Sequence, residues 1–143
     1  MSCIFCDILN GSAPAAFVYQ DSLCAAFMDI NPINPGHVLV VPSDHCTWLA
    51  ELDPTSAGHI FQVAQRVDTA LRQGSVKCEG VNLFLADGQA AGQDVMHVHL
   101  HVIPRYKGDG HHMRFSPKYY LATPAGELEK IAALISERMR GEE

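Results

Sequence analysis

The nine residues "HVHLHVIPR", His97 to Arg105, constrain this chain more than any other stretch. In an extended segment successive side chains point to opposite faces, so His97, His99 and His101 share one side while Val98, Leu100 and Val102 share the other. The aliphatic row belongs against a core, and the imidazole row faces water or a ligand. Successive histidines then stand about 6.6 Å apart, at roughly 3.3 Å per residue. That spacing is too wide for a direct chain of rings but suits three groups around one phosphate. Three readings fit: a polar solvent face, a phosphate site, or one catalytic metal held by all three rings. Strict alternation disfavours the first, because Thr, Lys or Glu would serve a wet face equally well.

The rest of the chain supplies a sheet for such a strand and helices to cover it. "CIFCDILNG" starts as a short helical pattern, with Ile4, Phe5 and Ile8 about a turn apart and Asn10-Gly11 as a stop. Phe17 to Tyr19 and Leu23 to Asp29 read as a hairpin around "QDS", "NPINPG" as a turn, and "HVLVVP" as a strand ended by Pro42. Pro54 opens an amphipathic helix to Gln73, carrying Ile60, Val63, Val67, Ala70 and Leu71 at three- and four-residue spacing. "GVNLFLA" and "HVHLHVIP" are the last two strands, and a helix from Thr123 to Arg140 follows. This order predicts an α+β fold with a mainly antiparallel sheet, helices covering one face and a ligand on the other. "YKGDGHHMRFSPKYY", Tyr106 to Tyr120, reads as a long loop whose His111 and His112 are solvated.

With 143 residues, 48% of them apolar, the chain is expected to form one domain over 1–143. A net charge of -6 with no Lys/Arg run argues against extended nucleic-acid binding, though a small anion remains compatible. The absence of a leader pattern and of any long apolar run predicts a cytosolic protein with no membrane contact. Five cysteines, Cys3, Cys6, Cys24, Cys46 and Cys78, fit a reducing compartment better than a disulfide framework. Cys3 and Cys6 sit one helical turn apart and can face one metal; a redox pair and coincidence are the competing readings. In "DGQAAGQD", Gly88 and Gly92 let the backbone approach a phosphate and offer N–H groups, and the Gln93 amide offers another donor. An ordinary hairpin loop would look similar.

The histidine stretch resembles the H-φ-H-φ-H-φ-φ signature of the histidine-triad (HIT) nucleotide hydrolases and transferases, with Val98, Leu100, Val102 and Ile103 at the apolar places. "AFMDINPINPGHVLVVPSDH", Ala26 to His45, resembles the family's first block and "AGQDVMHVHLHVIPR", Ala91 to Arg105, its second. With "CIFC" and the intervening helix, the likeness covers residues 3–106, leaving a C-terminal loop and helix over 107–143. It implies a five-stranded HIT-like sheet with a long helix on one face. It also implies a homodimer joined through that helix and the "GVNLFLA" strand.

Carried onto this sequence, the resemblance makes His99 the nucleophile, forming a nucleotidyl-histidine intermediate with the α-phosphorus of a nucleoside phosphoramidate or dinucleoside polyphosphate. His101 would bind the phosphate or protonate the leaving group, and His37 would support the same site. Asp29 would accept the ribose hydroxyls, and Phe5, Ile8, Phe27 and Ile30 would form a slot for a purine base. Asn82, Gly92 and Gln93 complete the implied substrate contacts. The zinc-bearing members imply a closed structural Zn²⁺ site on Cys3, Cys6, His45 and His97. This chain departs from the family at Ala86, where relatives carry Gln or Asn, at Met28, where some phosphoramidase-like members carry His, and at Asp94, where relatives often have Ser or Thr. A carboxylate at Asp94 would repel a phosphate or hold a nearby histidine. "VIPR" resembles the bacterial and diadenosine-polyphosphate-cleaving branches. A non-catalytic purine-nucleotide sensor and a zinc-catalysed hydrolase are the alternative readings.

Overall fold

The computed structural model describes residues 2–141. The elements run α1 (Ile4–Leu9), β1 (Phe17–Gln20), β2 (Cys24–Met28), β3 (Val38–Pro42), α2 (Pro54–Gln73), β4 (Gly80–Phe84), β5 (Leu100–Arg105) and α3 (Glu127–Arg140). The chain divides into two compact units, one ending at His111 and one beginning at His112.

In the first unit the five strands form one antiparallel sheet in the order β1-β2-β3-β5-β4. Local chemistry sets its connections. The Asp21 carboxylate accepts the N–H groups of Leu23 and Cys24, tightening the β1–β2 turn, and also bonds Tyr19 Oη and His59 Nε2 at 2.7 and 2.6 Å. Helix α2 begins where Asp53 caps the N–H groups of Thr55 and Ser56, with Pro54 at its first position. Its buried face, including Ile60, Val63, Ala64 and Leu71, packs with Val38, Val40, Val98, Leu100 and Val102 in the main core. Burying each such side chain contributes about 1.5–3 kcal/mol, which outweighs any helix propensity term.

The opposite face is less open than the sequence predicts. Helix α1 lies over it, and Phe5 and Ile8 join Ala25, Phe27, Leu39 and Val41 in a second cluster. Strand β5 is also shorter than expected, starting at Leu100 rather than His97. The reason is the end of its neighbour: Pro42 closes β3 and has no N–H to offer, so Val98 N–H donates to Cys46 C=O instead. His97 and His99 therefore precede the regular strand.

In the second unit, α3 starts at Glu127 instead of Thr123 because Gly126 takes φ 81°, a left-handed conformation that cannot continue a helix backwards. Phe115 and Tyr119 stack in the segment before it, with centroids 4.1 Å apart. Among the described residues, no helix is long and apolar enough to cross a membrane.

Candidate active site and metal centre

Sheet register assembles the first cluster. Phe27 pairs with Leu39 and Leu39 with His101, so all three share a face. Asp29 N–H donates to His37 C=O just beyond β2 and β3, extending that ladder by one step. Asp29, His37 and His101 therefore converge. His37 Nδ1 accepts the Ile33 N–H at 3.0 Å, which places the ring proton on Nε2. That Nε2–H meets His101 Nδ1 at 2.8 Å, so His101 in turn carries its proton on Nε2. One Asp29 oxygen accepts the Asn31 N–H at 2.8 Å, and the other lies 3.5 Å from His37 Nε2 and 3.9 Å from His101 Nδ1. Burial pushes the His101 imidazole down to about 4, aided by the neighbouring His99 and His37 and opposed by Asp29 and Asp94. Burial likewise lowers His37, against the pull of Asp29. The pair is neutral at pH 7, as its hydrogen bond requires.

His99 is oriented by its own backbone. Its Nδ1–H donates to His97 C=O at 2.7 Å, leaving the Nε2 lone pair free. Phe5 and His101 pack against the ring at centroid distances of 5.1 and 5.0 Å. The rings of His99 and His101 are thus closer than strand spacing suggests, because His99 precedes β5. Both line a cavity of ≈ 430 Å³ walled by Phe5, Ile8, Phe27 and Leu39, with Asp29 and Asp94 at its polar end. Ile30, 90% exposed, forms its lip. Asp94 Oδ1 stands 3.4 Å from His99 Nε2, two acceptor atoms facing one another with no hydrogen bond between them while Nε2 carries its lone pair.

The glycine loop corrects the expectation placed on it. Gly88 N–H donates to Gln93 Oε1 at 2.8 Å, and Gly92 N–H donates to Gln89 C=O at 3.0 Å. Gln93 Nε2 donates to Thr47 and Val95 carbonyls at 2.7 and 3.1 Å. These donors face into the loop rather than into the cavity, and none of Gly88, Gly92 and Gln93 lines it. Glycine is required for φ values of 95° and 90°, and a Cβ at either position would meet nothing within 4 Å. Asn82 is also drawn elsewhere, accepting Arg105 Nη1–H at 2.7 Å.

A second cluster lies on the other side of His99. His97, fully buried, places Nδ1 3.5 Å from Cys3 Sγ, 3.6 Å from Cys6 Sγ and 3.2 Å from His45 Nδ1. Cys6 Sγ is 3.3 Å from His45 Nδ1, and all four donors lie within 4.8 Å of one another. A tetrahedral zinc with nitrogen and sulfur ligands keeps its donors about 3.3–3.8 Å apart, so the set fits such an ion. His97 Nε2–H donates to Pro42 C=O at 2.9 Å, which directs the Nδ1 lone pair at the cluster centre. One metal shared by all three triad histidines is therefore not the arrangement. His97 turns toward the cysteines, and His101 Nδ1 is bonded to His37.

A HIT domain family model matches residues 10–108 of this chain. The chain belongs to the HIT domain family. An uncharacterized HIT-like protein of Borreliella burgdorferi is 40% identical over 133 residues, covering 92% of each chain. An adenosine 5'-monophosphoramidase of Schizosaccharomyces pombe is 37% identical over 105 residues, 73% of this chain and 75% of that one. The crystal structure of a zinc-bound histidine triad family protein from Mycobacterium smegmatis superposes with a TM-score of 0.75 at 40% identity, covering 82% of this chain and 84% of that chain.

Around the HIT site the structure adds residues that sequence reasoning missed. Asn34, buried in the proline turn, donates to Pro104 C=O at 2.9 Å and Asp109 Oδ2 at 2.8 Å. Arg105 grips the same carboxylate through Nε and Nη2 at 2.6 and 2.9 Å and holds it well below the usual carboxylate range. This network ties the turn carrying His37 to the end of β5. The Arg105–Asp109 spacing of four residues and the Asn between two prolines were its visible traces.

Proposed function

We propose that this HIT protein is a nucleotide hydrolase or transferase acting through a nucleotidyl-histidine intermediate on His99. The observation that carries this reading is the fixed tautomer of His99: with Nδ1–H bonded to a carbonyl, its Nε2 lone pair faces the cavity. Neutral imidazole attacks phosphorus without first losing a proton. Nε2 forms a bond to the α-phosphorus as the bond to the leaving amine or phosphate breaks, and that electron pair departs with the leaving group. The Nε2–H of His101 donates a hydrogen bond to the phosphoryl group, and the leaving amine takes a proton from solvent as it departs. Water then attacks phosphorus, the Nε2–P pair returns to His99, and the water's proton goes to solvent, restoring the balance. A nucleoside monophosphate is released. The likeness to an adenosine 5'-monophosphoramidase supports this chemistry.

In the same reading Asp29 accepts the ribose hydroxyls, and the slot of Phe5, Ile8, Phe27 and Ile30 takes the base. Cys3, Cys6, His45 and His97 hold a structural zinc, which when bound supplies a closed four-ligand crosslink between α1 and the segment carrying His99. The likeness to a zinc-bound relative and the donor spacing support that assignment. A homodimer through α2 and β4 completes the proposal. Turnover of a fluorogenic adenosine phosphoramidate tests it: wild type releases AMP and His99→Ala does not. Full activity of that variant would overturn the nucleophile, and nucleotide binding without any turnover would point to a sensor.

A further inference from the structure

The cavity proposed to receive a nucleotide phosphate contains two carboxylates, Asp29 and Asp94, and among the described residues no lysine or arginine lines it. Arg105 is already occupied by Asp109 and Asn82. Phosphate sites ordinarily balance anionic charge with cations, whereas this one adds to it. Asp94 is the carboxylate nearer the chemistry, with Oδ1 3.4 Å from the attacking His99 Nε2 and a side chain 79% exposed at the cavity mouth. The Val95 N–H donates to that same oxygen at 2.9 Å, so the group has a defined direction.

We propose that Asp94 sets the leaving-group specificity of this site by charge, favouring α-phosphates joined to a neutral or cationic amine and disfavouring those joined to a polyphosphate. The inference rests on the reading of His99 as nucleophile. In-line displacement puts the leaving atom beyond phosphorus, about 5 Å from Nε2 if the attacking contact is about 3–3.5 Å. It is then at most about 8 Å from the Asp94 carboxylate, within about one screening length at physiological salt. The apolar wall of Phe5, Ile8, Phe27 and Leu39 limits screening further. At that separation, with screening, each unit of charge on the leaving group changes kcat/KM about twofold. A polyphosphate carries several such units. Asp94 transfers no proton here, and its effect is the field it places on the departing group.

The test uses three adenosine 5'-phosphoramidates with the same P–N bond, whose amines end remotely in an ammonium, a methyl or a carboxylate group. Wild type is expected to turn them over in that order, with about twofold steps that shrink as salt is added. Asp94→Asn is expected to make the three equal and to gain several-fold on diadenosine tetraphosphate relative to the methyl substrate. Asp94→Glu, which restores the charge, is expected to restore the order, an outcome that a merely structural role would not produce. Equal ratios in wild type and Asp94→Asn would overturn this inference while leaving the His99 chemistry standing. No turnover of any of the three by wild type would overturn both.

Discussion

His101 shows how a single position couples stability to chemistry. Its folded pKa is lowered to about 4, chiefly by burial, while an unfolded histidine titrates near 6.5. Between these values the unfolded chain binds a proton that the folded chain does not, so stability rises with pH across this window and levels off above it. Protonating Nδ1 would also break the bond from His37 Nε2. Urea midpoints measured from pH 4 to 7.5 should therefore climb and then flatten, and His101→Asn should climb less steeply. The same slope in both proteins would remove His101 as the source.

At the scale of elements, the 88–95 loop and the α1 contact carry the site. Gln93 is buried and uses both ends of its amide on backbone groups, those of Gly88 and Val95 in the loop and that of Thr47 outside it. Gln93→Ala should cost about 1–3 kcal/mol in denaturant unfolding, because buried carbonyls and an N–H lose their partners. A loss below the error of the measurement would show that the loop does not depend on it. Removing zinc from the holoprotein with a strong chelator should release one ion per chain and lower Tm, and Cys6→Ser should bind less zinc. An unchanged Tm after full release would contradict a structural ion.

The elements themselves were largely legible in sequence. Helix α2 matches its predicted span because Pro54 and the apolar periodicity mark the same boundaries, and Asp53 caps its start. The paired strands were equally plain from their apolar runs and turns. What periodicity could not convey is where a ladder stops. His97 looked like the first residue of a strand, but Pro42 on the neighbouring strand ends the pairing. Nor could it tell which way loop donors point, so Gly88, Gly92 and Gln93 looked ready for phosphate although Gln93, Gln89, Thr47 and Val95 already accept from them. Asn34 was hidden because its partners, Pro104 and Asp109, lie 70 and 75 residues away.

At the scale of the whole molecule, β4 is an edge strand, and an apolar groove beside it is lined by Phe61, Gln65, Val81 and Leu83 from α2 and β4. Phe61 and Leu83 are 59% and 43% exposed. An uncovered edge of this kind favours pairing with a second copy. Sedimentation should give twice the 15.6 kDa chain mass, and Leu83→Lys should shift it toward the single chain. A wild-type mass of 15.6 kDa would refute the dimer. Gly36 shows how tightly the molecule closes beside the end of α2. It takes φ 100°, and a Cβ there would lie 2.7 Å from Val76 Cγ1.

His99 Nε2 is the atom proposed to take the phosphorus. Its most direct test is acid-stability-controlled rapid quenching of wild type with an adenosine phosphoramidate, followed by intact-mass and peptide-mapping mass spectrometry. The expected result is one AMP moiety on the peptide containing His99, labile to acid as a phosphoramidate is and absent from His99→Ala. An adduct on another residue, or single-turnover AMP release by His99→Ala at the wild-type rate, would contradict it.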